Sequence, residues 1–179
     1  MRRGLARLAN LAGIAAGGAL LAVSWPAPAQ VRDVDMKAAY IYNFAQFTTW
    51  PESRPRPPGA PLSVCADRAS VLWPALLAYN GKPVSGRAWQ LLDADARPGA
   101  AGCDILVLGR AAGAVPAPAV PGLLVVRDGA AGAGTTAAAV TITLVDDDEQ
   151  LRVDVDTREA ARSGLRVSSK LLRLARNVL

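Results

Sequence analysis

Cys103-Asp104-Ile105-Leu106-Val107-Leu108-Gly109 is the stretch that decides the fold. Four consecutive aliphatic residues between turn-forming neighbours read as a central strand buried on both faces, the pattern of a parallel sheet. Working outward, Leu62-Ser63-Val64-Cys65 reads as a buried first strand, Arg87-Ala88-Trp89-Gln90-Leu91-Leu92 as a second, and Leu123 to Val126 as a fourth. Between the first two, Ser70 can cap a helix running to Tyr79, with Pro74 tolerated near its start and Asn80-Gly81 ending it. Crossovers of this length imply parallel pairing. Residues 110–122 and 129–139 are Ala/Gly/Pro-rich and read as loop or weak helix.

The two ends complete the frame. Asp33 to Phe47 reads as a helix, capped by Asp33 or Asp35, with Met36, Tyr40, Phe44 and Phe47 as its apolar face. Pro51 requires it to end before Trp50, and the proline-rich run 52–61 is a surface loop. Val140–Val145 and Leu151–Val155 form an antiparallel hairpin around Asp146-Asp147-Asp148-Glu149-Gln150, since Leu151, Val153 and Val155 alternate with Arg152 and Asp154. Asp156 and Glu159 have capping-box spacing for a short helix closed by Gly164. Ser168 then caps a last helix, reaching about Val178, with Leu171, Leu172, Ala175 and Val178 on one face. The expected fold class is α/β: a single compact domain, its mostly parallel sheet flanked by helices, with a C-terminal antiparallel hairpin.

Residues 1–29 read as a cleavable secretory signal peptide. Arg2, Arg3 and Arg7 make a basic head, Leu11 to Val23 is apolar, and Ala27-Pro28-Ala29 supplies small residues for cleavage. The apolar run would make a helix of about 20 Å, short of a ~30 Å hydrocarbon core. Residues 30–179 then form one exported domain that does not span the membrane. Removing the signal takes away three of 20 basic residues and none of the 15 acidic ones, leaving a net charge of +2. That balance, with no basic cluster interleaved with aromatics, argues against nucleic-acid binding. In an oxidising compartment Cys65 and Cys103 read first as one disulfide, and two buried reduced thiols in adjacent strands are the alternative.

Catalysis finds no support in the residues. The chain has no histidine, the commonest general base and metal ligand. Ser163, Ser168 and Ser169 have no evident base, and Asn80-Gly81-Lys82 lacks the frame of a phosphate loop. Asp146–Glu149 lack the alternation and the glycine of a calcium loop, and read as a solvated turn guarding a sheet edge. No cofactor and no metal is expected. Phe47, Trp50, Trp73 and Trp89 each read first as core.

The terminal motifs carry a resemblance. Lys37-Ala38-Ala39-Tyr40-Ile41-Tyr42-Asn43-Phe44-Ala45-Gln46-Phe47-Thr48-Thr49-Trp50-Pro51, and Ala160-Ala161-Arg162-Ser163-Gly164-Leu165-Arg166-Val167-Ser168-Ser169-Lys170-Leu171-Leu172-Arg173-Leu174-Ala175, resemble the opening and closing motifs of the YfiR family of periplasmic regulators. The resemblance implies a compact α/β domain without catalysis. It implies a repressor that binds the periplasmic sensor domain of an inner-membrane diguanylate cyclase, with an outer-membrane OmpA-like lipoprotein relieving repression. The output would be cyclic-di-GMP, which favours biofilm. The family's second cysteine pair and its Gly-Gly before the hairpin are missing from this chain, where Ala130–Ala139 and Val140-Thr141-Ile142-Thr143 stand instead.

Partner contact is assigned to Phe47 and Trp50 at the exit of the first helix, and to Arg166 and Ser168 in the link between the last two. A homodimer is a further possible partner state. The alternative function is a small-molecule module taking an anionic ligand in a cleft near Arg166 and Trp50, beside the Ser168 helix terminus.

Overall fold

The computed structural model describes residues 28–52, 56–110, 120–130, 139–147 and 150–179. The secretory signal read over 1–29 lies, up to Ala27, outside the described residues, as do most of the two Ala/Gly/Pro-rich segments and Asp148-Glu149.

The first described element is helix α1 (Pro28–Gln46), which runs into the short strand β1 (Thr48–Thr49). Then follow β2 (Leu62–Ala66), α2 (Trp73–Leu77), β3 (Pro83–Val84), β4 (Arg87–Asp93), β5 (Ile105–Leu108), β6 (Leu124–Ala130), β7 (Ile142–Asp147) and β8 (Gln150–Val155). The C-terminal part holds α3 (Thr157–Arg162), β9 (Arg166–Val167), α4 (Ser169–Leu172) and β10 (Asn177–Val178).

Eight strands form one sheet in the order β10-β8-β7-β6-β5-β2-β4-β3, and β1 pairs with β9 in a second, two-stranded sheet. The centre, β7-β6-β5-β2-β4, is parallel throughout. The β7–β8 hairpin is antiparallel, in the register Leu144 opposite Val153. The expected α/β class, with its mostly parallel sheet and terminal hairpin, is what the chain adopts. β5 lies between β6 and β2 with Ile105 fully buried and Leu106 and Val107 nearly so, as its unbroken aliphatic run requires.

One core fills the face under α1 and α2, built on Ile41, Phe44, Val64, Trp89, Leu124 and Leu144. A smaller cluster around Cys65, Cys103, Leu106, Leu123 and Val125 fills the other.

Several local expectations are corrected. α1 starts at Pro28, so Asp33 and Asp35 lie inside it and cap nothing; Asp33 instead pairs with Lys37 one turn on, at 2.9 Å. Its buried face is Lys37, Ala38, Ile41, Phe44 and Ala45, while Met36 is 42% exposed. Of the expected stripe only Met36 turns outward: Phe44 is fully buried beside Ala38 and Ala45, and Tyr40 and Phe47 pack against the core. α2 is shorter than expected: Leu72, not Ser70, is its N-cap. Ser70 Oγ accepts from the Leu72 N–H at 3.2 Å and closes the turn that leads in.

The last helix ends at Leu172 rather than near Val178, because β pairing claims the tail. The Arg176 N–H donates to the Val153 carbonyl at 2.7 Å, and the Arg176 guanidinium pairs with Asp147 and Asp154, each at 2.9 Å. Val178 is accordingly 51% exposed on an edge strand. β3 was not foreseen; it folds onto β4 through Ser85-Gly86, both at positive φ, as a tight two-residue hairpin requires.

The Asp156 cap forms as its spacing predicts. Its carboxylate accepts from the Arg158 and Glu159 N–H groups, both at 2.9 Å. D156A is expected to cost about 1 kcal/mol, read as a lower urea midpoint at unchanged m-value. A midpoint equal to wild type would show that α3 needs no cap.

Candidate functional site

The two terminal motifs, more than a hundred residues apart, meet in one patch. Thr48 lies opposite Val167 and Thr49 opposite Arg166 in the β1–β9 ladder. The Ser168 N–H extends it by donating to the Phe47 carbonyl at 2.9 Å. Thr48 Oγ1 donates to the Phe44 carbonyl at 2.8 Å and seals the end of α1. Gly164, at φ +71°, turns the chain beside Pro51, and a Cβ there would stand 3.5 Å from that ring. The fold thus gathers Phe47, Trp50, Arg166 and Ser168 onto one side of the molecule.

They are not equivalent there. Phe47 and Trp50 are half-buried and rest on the main core. Arg166 is exposed, with Leu165 buried before it and Val167 half-buried after it. Ser168 Oγ accepts from the Leu171 N–H at 3.4 Å as the cap of α4. Because α4 is only four residues long, its terminus supplies little dipole for an anion.

Beneath Trp50 lies a buried charge that sequence reading missed. Asp104 is 1% exposed, at the foot of β5. Its Oδ2 accepts from the Ser63 N–H at 2.9 Å and from Arg87 Nη2 at 2.5 Å, and Arg56 Nη2 stands 2.5 Å from Oδ1. Trp50 Nε1 reaches the Asp104 carbonyl at 3.4 Å. The small cleft lined by Trp50, Arg56, Arg87 and Asp104 has about 250 Å³, below the usual range for a ligand pocket of roughly 300–1,000 Å³. Its two guanidiniums are already engaged by Asp104, so the cleft offers an anion little free charge. An acidic residue heading an otherwise apolar strand was the available signal.

A second network ties α1 to the far end of the sheet. Lys37, its side chain 3% exposed, lies 2.9 Å from Asp33, 3.1 Å from Asp128 and 2.9 Å from Asp146. Arg110 joins it through Asp128 at 3.4 Å and through Asp146. Burial pushes the Lys37 ammonium down, but its hydrogen bonds to Asp146 and Asp33 and the charge of Asp128 outweigh that and hold it above the ordinary lysine value. Burial likewise pushes the Asp146 carboxyl up, and Lys37 and Arg110 more than reverse it, leaving it below the usual carboxylate range. Asp146 and Asp147 are therefore ion-paired strand residues rather than members of a solvated turn.

Cys65 and Cys103 form the disulfide, with Cα atoms 5.9 Å apart and both side chains fully buried in the smaller core cluster. Trp89 is fully buried against Tyr42 and Tyr79, and Trp73 is half-buried with the Arg68 guanidinium over its ring. Among the described residues, no group of three His, Cys, Asp or Glu side chains is placed to hold a metal ion. No described helix is long and apolar enough to cross a membrane.

A parallel-sheet α/β domain, stapled by one buried disulfide and clamped shut between its own terminal motifs, is the class that fold and site define. The chain belongs to the YfiR/HmsC-like family, whose model matches residues 34–176. That family is one of regulators rather than enzymes, periplasmic in general. No curated protein matches the chain.

Proposed function

We propose that this protein is a non-enzymatic periplasmic repressor that binds the periplasmic sensor domain of an inner-membrane diguanylate cyclase and so lowers cyclic-di-GMP synthesis. An OmpA-like lipoprotein of the outer membrane relieves repression by competing for the regulator, in proportion to its concentration and affinity. The observation that carries the reading is the meeting of the two family motifs at the β1–β9 ladder, within a family match spanning 34–176. The patch has the make-up of an interaction hot spot: an aromatic pair seated on the core, Phe47 and Trp50, beside an exposed arginine. An exported protein reaches a cyclase of the inner membrane only through the part that enzyme displays outside, which suits a small domain acting by contact alone.

Arg166 is the residue to change, because it is exposed and forms no ion pair among the described residues. R166E is expected to weaken binding to the purified sensor domain by tenfold or more, measured by calorimetry, while the melting temperature stays within a degree or two of wild type. Undiminished binding by R166E, and by W50A if that variant folds, would remove the patch from the interface. Absence of any complex between wild-type protein and the sensor domain would remove the repressor reading itself.

A further inference from the structure

The five parallel strands, β7-β6-β5-β2-β4, have their first member in sequence, β2, in the interior. From β2 the chain moves one way to β4, then back past it to β5. In open sheets of this topology, ligands bind outside the carboxyl ends of the strands where the order reverses. A groove of about 980 Å³ opens at that place, lined by the residues that follow β2 (Asp67, Ser70), the end of β5 (Leu108, Gly109) and the middle of α1 (Val34, Asp35). That is the upper end of the range for small-molecule pockets. Gly109 lies close under the β2 loop; a Cβ there would come within 3.2 Å of Ser70 Oγ.

The lining has two parts. The apolar part includes Val34, Val71 and Pro74, which keep accessible surface, backed by the buried Leu72, Leu106 and Val107. Its rim carries six aspartates against two cations, Lys37 and Arg110. Both cations are committed to Asp33, Asp128 and Asp146. Asp35, Asp67 and Asp95 remain, all three exposed and without an ion pair among the described residues. Among the described residues, the Asp67 carboxylate accepts from the N–H of Ala69 in its own turn and from no cation. The carboxylates are spread around the opening rather than converging on one point, so they favour an organic cation over a metal ion.

We infer that this groove binds a small organic cation, a primary amine carried on an apolar body. The body lies against Val34, Val71 and Pro74, and the ammonium reaches the unpaired aspartates at the rim. The site is on the carboxyl-end side of the sheet and shares no lining residue with the Phe47–Arg166 patch. It does not rest on the repressor reading, and its test needs no cyclase.

The test is an amide-resolved NMR titration of the purified protein with phenethylamine, 2-phenylethanol and 3-phenylpropionate, three probes alike in shape and different in charge. Phenethylamine is expected to shift the amides of Asp67–Leu72 and Leu108–Arg110, the alcohol to shift them more weakly, and the carboxylate not at all. D35N/D95N, at unchanged melting temperature, is expected to weaken phenethylamine binding about fivefold and to leave 2-phenylethanol unaffected. Equal binding of all three probes would overturn the assignment, as would shifts confined to residues outside the groove. So would shifts of the same amides on concentrating the free protein, which would identify a second copy as the occupant.

Discussion

K37M is expected to destabilise the protein by about 3–5 kcal/mol at pH 7, the usual cost of removing one partner from a buried ionic cluster. Lys37 is the centre of its network, and without it Asp128, its side chain 4% exposed, would face Asp146 with only the half-exposed Arg110 to offset the charge. The methylene stem is not the issue, since methionine nearly preserves it. K37M/D128N is expected to recover part of the loss, because it removes the stranded charge together with its counter-charge. Urea unfolding of the three proteins checks this, and a K37M loss below 1 kcal/mol would mean that water reaches the cluster.

The pH dependence has a defined sign. Asp146 has its carboxyl held below the ordinary range, so its contribution is present above the unfolded value, about 3.9, and is lost as pH falls through the lower folded value. Lys37 is held above its ordinary value, so its contribution is present below about 10.4 and is lost as pH rises through the higher folded value. The gap between wild type and K37M should therefore be widest from about pH 4 to pH 10 and should narrow as pH falls below that window.

The second large effect belongs to the disulfide. C65A/C103A is expected to lose about 3–4 kcal/mol, from the chain entropy that a bridge across 38 residues removes from the unfolded state. For a domain of this size that corresponds to a melting temperature roughly 10 °C lower. Alanine is preferred to serine because both positions are fully buried, and a hydroxyl at either would add a desolvation cost of its own. The bridge lies within the sheet, joining β2 to the residues that lead into β5, on the face away from α1 and α2. Its loss should consequently weaken partner binding only as far as the folded fraction falls. Scanning calorimetry with and without reductant measures the effect, and coincident melting curves would contradict it.

Much of this was legible in the sequence, in an uneven way. The aliphatic run Ile105–Leu108 identified a strand buried on both faces, and the alternation from Leu151 to Val155 identified the hairpin, because side-chain period follows directly from backbone geometry. Asp156 and Gly164 were readable because a cap and a positive-φ turn are satisfied within a few residues. The Cys65–Cys103 pairing was readable only as the first of two possibilities, and the approach of β2 to β5 decided it. The Phe47, Trp50, Arg166 and Ser168 patch could be assembled from the family motifs, but not as geometry. Two-residue strands such as β1 and β9 have no period to read, and they exist only because the far end of the chain supplies the partner.

By itself, then, the sequence determined the α/β class, the parallel centre, the hairpin and the family, since each is written in local patterning or in motif identity. Tertiary structure alone decided which face of α1 is buried, where the last helix gives way to β10, and which charges are shared between distant strands. Lys37 with Asp128 and Asp146, Arg87 with Asp104, and Arg176 with Asp154 are long-range pairs. The energy of a charge depends on what surrounds it after folding, and no spacing along the chain carries that information.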